Sequence, residues 1–351
     1  MNVLLTEHIS KIEELERYLR LTAQLRDDVL SHQDIATMIN DKMVVFFHST
    51  VSRKYNYNMT IIRLYGILES YLEECIVTYL KKLSKIVIEY KRLPQQIQDN
   101  HLSLSADLLK YIEKGYDKYS DISKEDVILR LGDCINNKAN YKLNTAAFIH
   151  HNSNFRHEMI RELYAHVGID NITLRIAKHR FMKEYFINIE GEDEAKYDQH
   201  TIEGYYSKLE ELVRRRNMIA HGNEADDLLS SDIILDYTAY IRAIILSIND
   251  IVDRELKRFY HEVTRQKELG AVVDVFGNHI IGVKSNHVEF CVGSKIWAVD
   301  GNGKFVDSGE IISIEHNHEP VSCLLEEQDL LLGIKVNMFA KSNYRYGVYI
   351  D

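Results

Sequence analysis

An apolar side chain at every third or fourth position, sustained from residue 8 to about residue 268, commits most of this chain to amphipathic helices. The longest stripe is Ile61, Leu64, Tyr65, Leu68, Tyr71, Leu72, Ile76, Tyr79, Leu80 and Leu83. It predicts a helix of about six turns from Thr60, with Lys81 and Lys82 near its C-terminal end. The 351 residues include only two prolines, Pro94 and Pro320, so little interrupts such runs. Other stripes predict a first helix over 8–30, a shorter helix and a Tyr/Asn-rich loop over 34–58, and two helices over 103–137. The latter pair should part near Tyr119-Ser120-Asp121, with Ser123 and Asp126 as a loose capping box. Residues 146–154 read as an apolar piece ending in the turn Asn152-Ser153-Asn154, and Phe155 to Val167 as a helix capped by Gly168. Thr173 to Ile189 suits helix or strand. Glu190 to Glu194 reads as an acidic loop, and Ser230-Ser231-Asp232 opens a last helical stretch within 226–269, polar from Asp253 onward.

After Gly270 the period shortens to two. Runs such as Ala271 to Phe276, His279 to Val283, Lys295 to Val299, Glu310 to Ile314, Gly333 to Val336 and Tyr346 to Ile350 alternate between Gly- and Asn-rich turns. That pattern predicts a small barrel or sandwich of about six or seven strands. The expected division is a helical domain over 1–268 and a β domain over 269–351.

Composition narrows the class. No run of about 18 apolar residues exists to cross a membrane, and Met1 to His8 lacks the basic start and apolar core of a signal peptide. Cys75, Cys134, Cys291 and Cys323 are scattered without a Cys-x-x-Cys pair, and are expected as reduced, mostly buried thiols of a cytoplasmic protein. The net charge of -10 argues against a sequence-blind RNA coat. It leaves room for a focused basic site, which Arg214-Arg215-Arg216 would supply. From residue 270 onward six Lys/Arg face eleven Asp/Glu, so the β domain carries -5. His316, His318, His287, Cys291 and Cys323 lack ligand spacing for a metal, and the His316-Asn317-His318 stretch reads as a solvated turn. No Gly-rich phosphate loop of the Walker kind is present, and no cofactor is expected.

Chemistry concentrates in Arg216-Asn217-Met218-Ile219-Ala220-His221-Gly222. Ile202, Tyr205, Tyr206, Leu209, Leu212 and Val213 make the apolar face of the helix leading into it. Arg216, seven residues after Leu209, falls on that stripe, where its permanent charge needs a phosphate, a carboxylate or water. Gly222 should cap the helix and leave His221 in the last turn, where the negative end of the helix dipole favours imidazolium. Asn217 lies one turn before His221, within side-chain reach. Arginine, histidine and amide together suit metal-free phosphoryl chemistry on RNA. The bland alternative is a capped helix end with a structural polar cluster.

The Arg-x4-His arrangement, with Asn after the Arg and Gly after the His, resembles the signature of HEPN ribonucleases. Three stretches, Arg63 to Glu73, Asn152 to Ile169 and Leu209 to Gly222, are similar in order to the MAE-type branch of HEPN-like nucleases. The resemblance implies a mainly α chain, a HEPN-type helical bundle with long insertions, over roughly 5–265. It implies a homodimer whose two motifs line a shared cleft, cleaving RNA as a toxin or antiviral nuclease. Arg216, His221 and Asn217 would be its catalytic groups, with Glu69 as a fourth or as a salt-bridge partner of Arg216. Arg214 and Arg215 are candidates for RNA-backbone contact. An antitoxin or regulatory protein is an expected partner. The stretches Val292 to Trp297, Gly309 to Ile314 and Gly333 to Val336 resemble the barrel of the second domain of translation elongation factor Tu. Rival expectations are a non-catalytic HEPN scaffold and a translation-associated RNA or protein binder acting through the barrel.

Overall fold

A computed structural model describes residues 1–31, 49–151, 153–222, 227–324 and 328–350. It divides into two compact units, 1–84 with 88–252, and 85–87 with 253–351. The first is helical and the second is built on an antiparallel sheet.

The helical unit contains α1 (Asn2–Ser31), α2 (Thr50–Ile86), α3 (Gln95–Glu113), α4 (Lys124–Ile135), α5 (His157–His166), α6 (Ile172–Ala177), α7 (Arg180–Asn188), α8 (Glu194–Asp198) and α9 (Ile202–Ala220), and α10 (Ser231–Val263) begins in it. The strongest stripe forms the core: Ile61, Leu64, Leu68, Tyr71, Leu72, Ile76, Tyr79, Leu80 and Leu83 on α2 are all inaccessible to water. α2 starts ten residues earlier than expected, so Thr50 to Asn58 is helix rather than Tyr/Asn-rich loop. The earlier part of that 34–58 expectation, residues 34–48, lies outside the described residues. Tyr57 and Thr60 are already buried, and packing overrides the weak local propensity there.

Pro94 opens α3 instead of merely breaking a pattern, since a helix tolerates proline at its start. Ser123 caps α4, accepting from the Asp126 N–H at 3.0 Å. Gly168 ends the turn after α5 at φ +78. The ambiguous 173–189 stretch is two short helices, α6 and α7. The acidic run expected as a loop gives way at Glu194 to α8, with the Asp193 carboxylate capping it through the Lys196 N–H at 2.7 Å. Of the expected Asn152-Ser153-Asn154 turn, Asn152 lies outside the described residues, as does Asp226.

In the second unit the helical tail ends at Val263. Gln266–Glu268, expected to continue it, is instead β1, paired with β10 (Arg345–Tyr349). The sheet runs β1-β10-β5-β6-β9-β3-β2, where β2 is Gly270–Phe276, β3 Ile280–Asn286, β5 Lys295–Val299, β6 Phe305–His316 and β9 Gln328–Val336. β7 (Glu319–Val321) pairs with β6, and β4 (Phe290–Cys291) pairs with β8 (Cys323–Leu324). Leu269 alone joins the strands at the two ends of the main path, donating to Tyr346 O and accepting from Asn286 N, both at 2.9 Å. The next residue must be glycine: at φ +129, a Cβ on Gly270 would lie 2.0 Å from Lys284 O. One face of the sheet packs Ile281, Val283, Ile296, Ile311, Ile314, Leu332 and Ile334 into a core.

Cys75 and Cys134 are buried free thiols. Cys291 and Cys323 correct the expectation of four thiols, because they form a disulfide. Pairing of β4 with β8 sets them directly opposite each other, a register that spacing along the chain does not reveal. Among the described residues no helix is long and apolar enough to cross a membrane.

Candidate active site

The Thr201 hydroxyl starts α9 by accepting from the Gly204 N–H at 3.2 Å. Tyr205, Tyr206, Leu209, Leu212 and Val213 then bury one broad face. The helix ends at Ala220, with the His221 N–H on Asn217 O at 3.0 Å and Gly222 at φ +72. His221 therefore caps the helix with an exposed ring. Among the described residues its imidazole has no hydrogen-bond partner. Asn217, expected to reach it, turns the other way.

The three successive arginines have three different environments. Arg214 is exposed and grips Glu211 with two bonds of 2.6 Å. Arg215, expected with it to meet RNA, is instead the buried one at 7% exposure. It follows Leu212 into the interior, where its guanidinium donates to the Tyr57 hydroxyl and the Asp227 carbonyl, each at 2.8 Å. Hydrogen bonds from Arg214, with Arg215 beside them, hold the Glu211 carboxyl below the usual range.

Arg216 is half-buried and faces neutral groups. Its Nη1 donates to Asn154 Oδ1 at 3.1 Å and to Asn217 Oδ1 at 3.2 Å, and its Cζ lies 5.0 Å from the centre of the Tyr65 ring. Asn154 Nδ2 donates to the same Asn217 oxygen at 3.1 Å. Thus two amide oxygens and an aromatic face hold the cation without cancelling its charge. No carboxylate forms an ion pair with Arg216 among the described residues, Glu69 included. Glu69 instead accepts from the Tyr65 hydroxyl at 3.3 Å, and that hydroxyl accepts from the buried Phe155 N–H at 2.9 Å. Burial, countered by the Phe155 N–H and reinforced by Glu69, pushes the Tyr65 phenol up to about 12.

Sequence reasoning missed Tyr65 and Asn154 as members of the cluster. Both stood in stretches carrying the family resemblance, but Tyr65 read as core and Asn154 as turn. The segment bearing Asn154 is fastened to α9 a second time, at Glu210, which accepts from His157 Nδ1 at 3.1 Å and also pairs with Arg156. Asn217 and Glu210 are seven residues apart and so lie nearly in line on the helix. On α2, Glu73 anchors the approach to this segment, accepting from Lys118 at 2.6 Å and His151 at 3.0 Å. Burial pushes Glu73 up, but those hydrogen bonds prevail and keep its carboxyl below the usual range.

His157, Glu158 and Glu210 bring three possible metal-ligand atoms within 4.8 Å of one another. Both ring nitrogens of His157 already face the two carboxylates, at 3.1 and 3.3 Å, and the Arg156 guanidinium occupies Glu210 as well. The earlier candidates are no nearer to a ligand set. His316 Nδ1 donates to Leu331 O at 3.1 Å, Asn317 and His318 make a left-handed turn at φ +50 and +67, and the two sulfurs are bonded together.

No curated protein matches the chain. The family model described as RiboL-PSP-HEPN matches residues 22–254, well over half of the chain, including Tyr65, Glu69, Asn154, Arg216 and His221. By that match the chain belongs to the RiboL-PSP-HEPN family.

Proposed function

We propose that this chain is a metal-independent endoribonuclease of a toxin or antiviral type, acting through Arg216 and His221 in a homodimer. The observation that carries the reading is the environment of Arg216. A guanidinium held by Asn154, Asn217 and Tyr65 is oriented yet not neutralised, which is what stabilising charge on a phosphodiester requires. His221, exposed at the end of the same helix, would act as general acid or base while a ribose 2'-hydroxyl attacks the neighbouring phosphorus. The 5'-oxygen then leaves with a proton, giving a 2',3'-cyclic phosphate and a 5'-hydroxyl. Side chains five apart on a helix diverge by about 140° around its axis. Two motifs facing each other across a dimer would supply arginine and histidine to one phosphate. Asn217 and Glu69 serve as positioning groups in this scheme, Glu69 through Tyr65. The C-terminal sheet, taken as a small barrel, would bind a substrate, regulator or partner.

One observation favours a second reading, a non-catalytic scaffold: the cluster is internally hydrogen-bonded and could serve packing alone. Purified wild type, Arg216→Ala and His221→Ala, incubated with total cellular RNA in EDTA and followed by end-group analysis, separate the two. Cleavage by wild type alone, with cyclic phosphate ends, supports the nuclease. Equal cleavage by all three would remove the motif from the mechanism. Equal tolerance by cells of wild type and His221→Ala would favour the scaffold.

A further inference from the structure

On the outer face of the sheet, one lateral row crosses four strands as Asp274, Gly282, Gly333 and Glu315, each the register partner of the next. Two carboxylates therefore bracket a gap with no side chains, about 14 Å long at three interstrand spacings. Phe276 and Ile280 rise on one side of the gap and Leu331 on the other, exposed by 56%, 40% and 58%. Together they line an open cavity of about 610 Å³.

Backbone geometry does not require either glycine. Neither has positive φ, and a Cβ would meet nothing closer than 3.4 Å at Gly282 or 3.9 Å at Gly333. A β-branched residue would suit a strand better, and paired glycines in strand interiors weaken a sheet. What glycine provides here is the floor of the groove. The groove matches an amphipathic cation: an aliphatic stem on glycine between apolar walls, with its charged end at a carboxylate. Lys284 and Lys335 share the outer face but do not line the cavity. At longer range the charge of -5 from residue 270 onward attracts a basic partner and repels RNA.

We propose that this groove is a docking site for an arginine- or lysine-containing segment of a partner protein. The proposal goes beyond the nuclease reading and does not rest on it, so His221→Ala should bind as wild type does. The test is fluorescence anisotropy of the full chain with a labelled short peptide alternating arginine and leucine, beside its glutamine-for-arginine counterpart and a labelled RNA oligonucleotide. The arginine peptide should bind wild type. Affinity should fall at least about tenfold for the glutamine peptide and for Gly333→Val, which fills the floor while melting no lower than wild type. Glu315→Gln, which leaves the strand backbone untouched, should weaken binding in the same direction. Undiminished binding to Gly333→Val, equal binding of the two peptides, no binding of the arginine peptide, or preference for the RNA would each overturn the proposal.

Discussion

Tyr65→Phe removes a single oxygen from the centre of the candidate site and leaves the ring in place. Tyr65 is 1% exposed, and its hydroxyl is the acceptor for the N–H of Phe155, itself 0% exposed. With both residues buried, the substitution should cost about 1–3 kcal/mol, the penalty for a buried unsatisfied donor. The phenyl ring still fills the same volume, so a large cavity penalty is absent. Arg216 keeps an aromatic face beneath its guanidinium, whereas Asn154 and Glu69 lose the hydroxyl between them. Urea denaturation followed by far-ultraviolet circular dichroism should show a lower midpoint at unchanged slope. RNA cleavage should fall, but less than in Arg216→Ala. A loss of stability below about 0.5 kcal/mol would mean that the Phe155 N–H finds another partner, and the reasoning would fail. Cleavage as low as that of Arg216→Ala would show that the hydroxyl, rather than the ring, orients the cation.

The two neighbouring arginines should differ in cost: Arg215→Met, which strips the Tyr57 hydroxyl and the Asp227 carbonyl of their donor, is expected to destabilise by about 1–3 kcal/mol, and Arg214→Ala by less than about 0.5, read as shifts in urea midpoint. Asn154→Ala should reduce cleavage at least about tenfold while the helical circular dichroism is retained, because it frees Arg216 without touching it. His101 is buried, its Nε2 accepts the Asn144 N–H at 3.1 Å, and burial lowers its pKa to about 4. Unfolding lets it bind a proton, so its contribution is complete above about pH 6.5 and lost as pH falls toward 4, roughly 2 kcal/mol by pH 5. The urea midpoint of wild type should therefore drop faster between pH 7 and 5 than that of His101→Gln, and parallel slopes would refute the assignment. Thiol titration of denatured, unreduced protein should find Cys75 and Cys134 only, with Cys291 and Cys323 appearing after reduction.

Helices were legible wherever local chemistry and burial agreed. The α2 stripe, the Ser123 cap and the glycines at 168 and 222 each depend on residues within a few positions of one another. The change of period at Gly270 announced the sheet for the same reason. What stayed hidden depends on distance along the chain. Tyr65 looks like one more apolar position on α2 until Phe155 and Asn154 arrive ninety residues later to use its hydroxyl. The Cys291–Cys323 bond needs the register of β4 on β8, and the Asp274-Gly282-Gly333-Glu315 row needs three registers at once.

The arginine triplet shows why three like residues in a row need not share one environment. Extending the Leu209 stripe by seven put Arg216 inside, yet the wide buried face of α9 takes in Arg215 with Leu212 and leaves Arg216 at its border. A border position is where an arginine can be held by neutral groups and still meet a ligand. Interior placement demands partners, and Arg215 has an ion pair with Glu211 and hydrogen bonds to Tyr57 and Asp227. Full exposure on a helix invites a local acid, which Glu211 also gives Arg214. Asn154, supplied from another segment, holds Arg216 through a neutral amide oxygen. Exchanging Asn154 for Asp tests that step: a carboxylate there would pair with Arg216, so the fold should hold while cleavage falls, and unimpaired cleavage would show that the charge of Arg216 is not what the site uses.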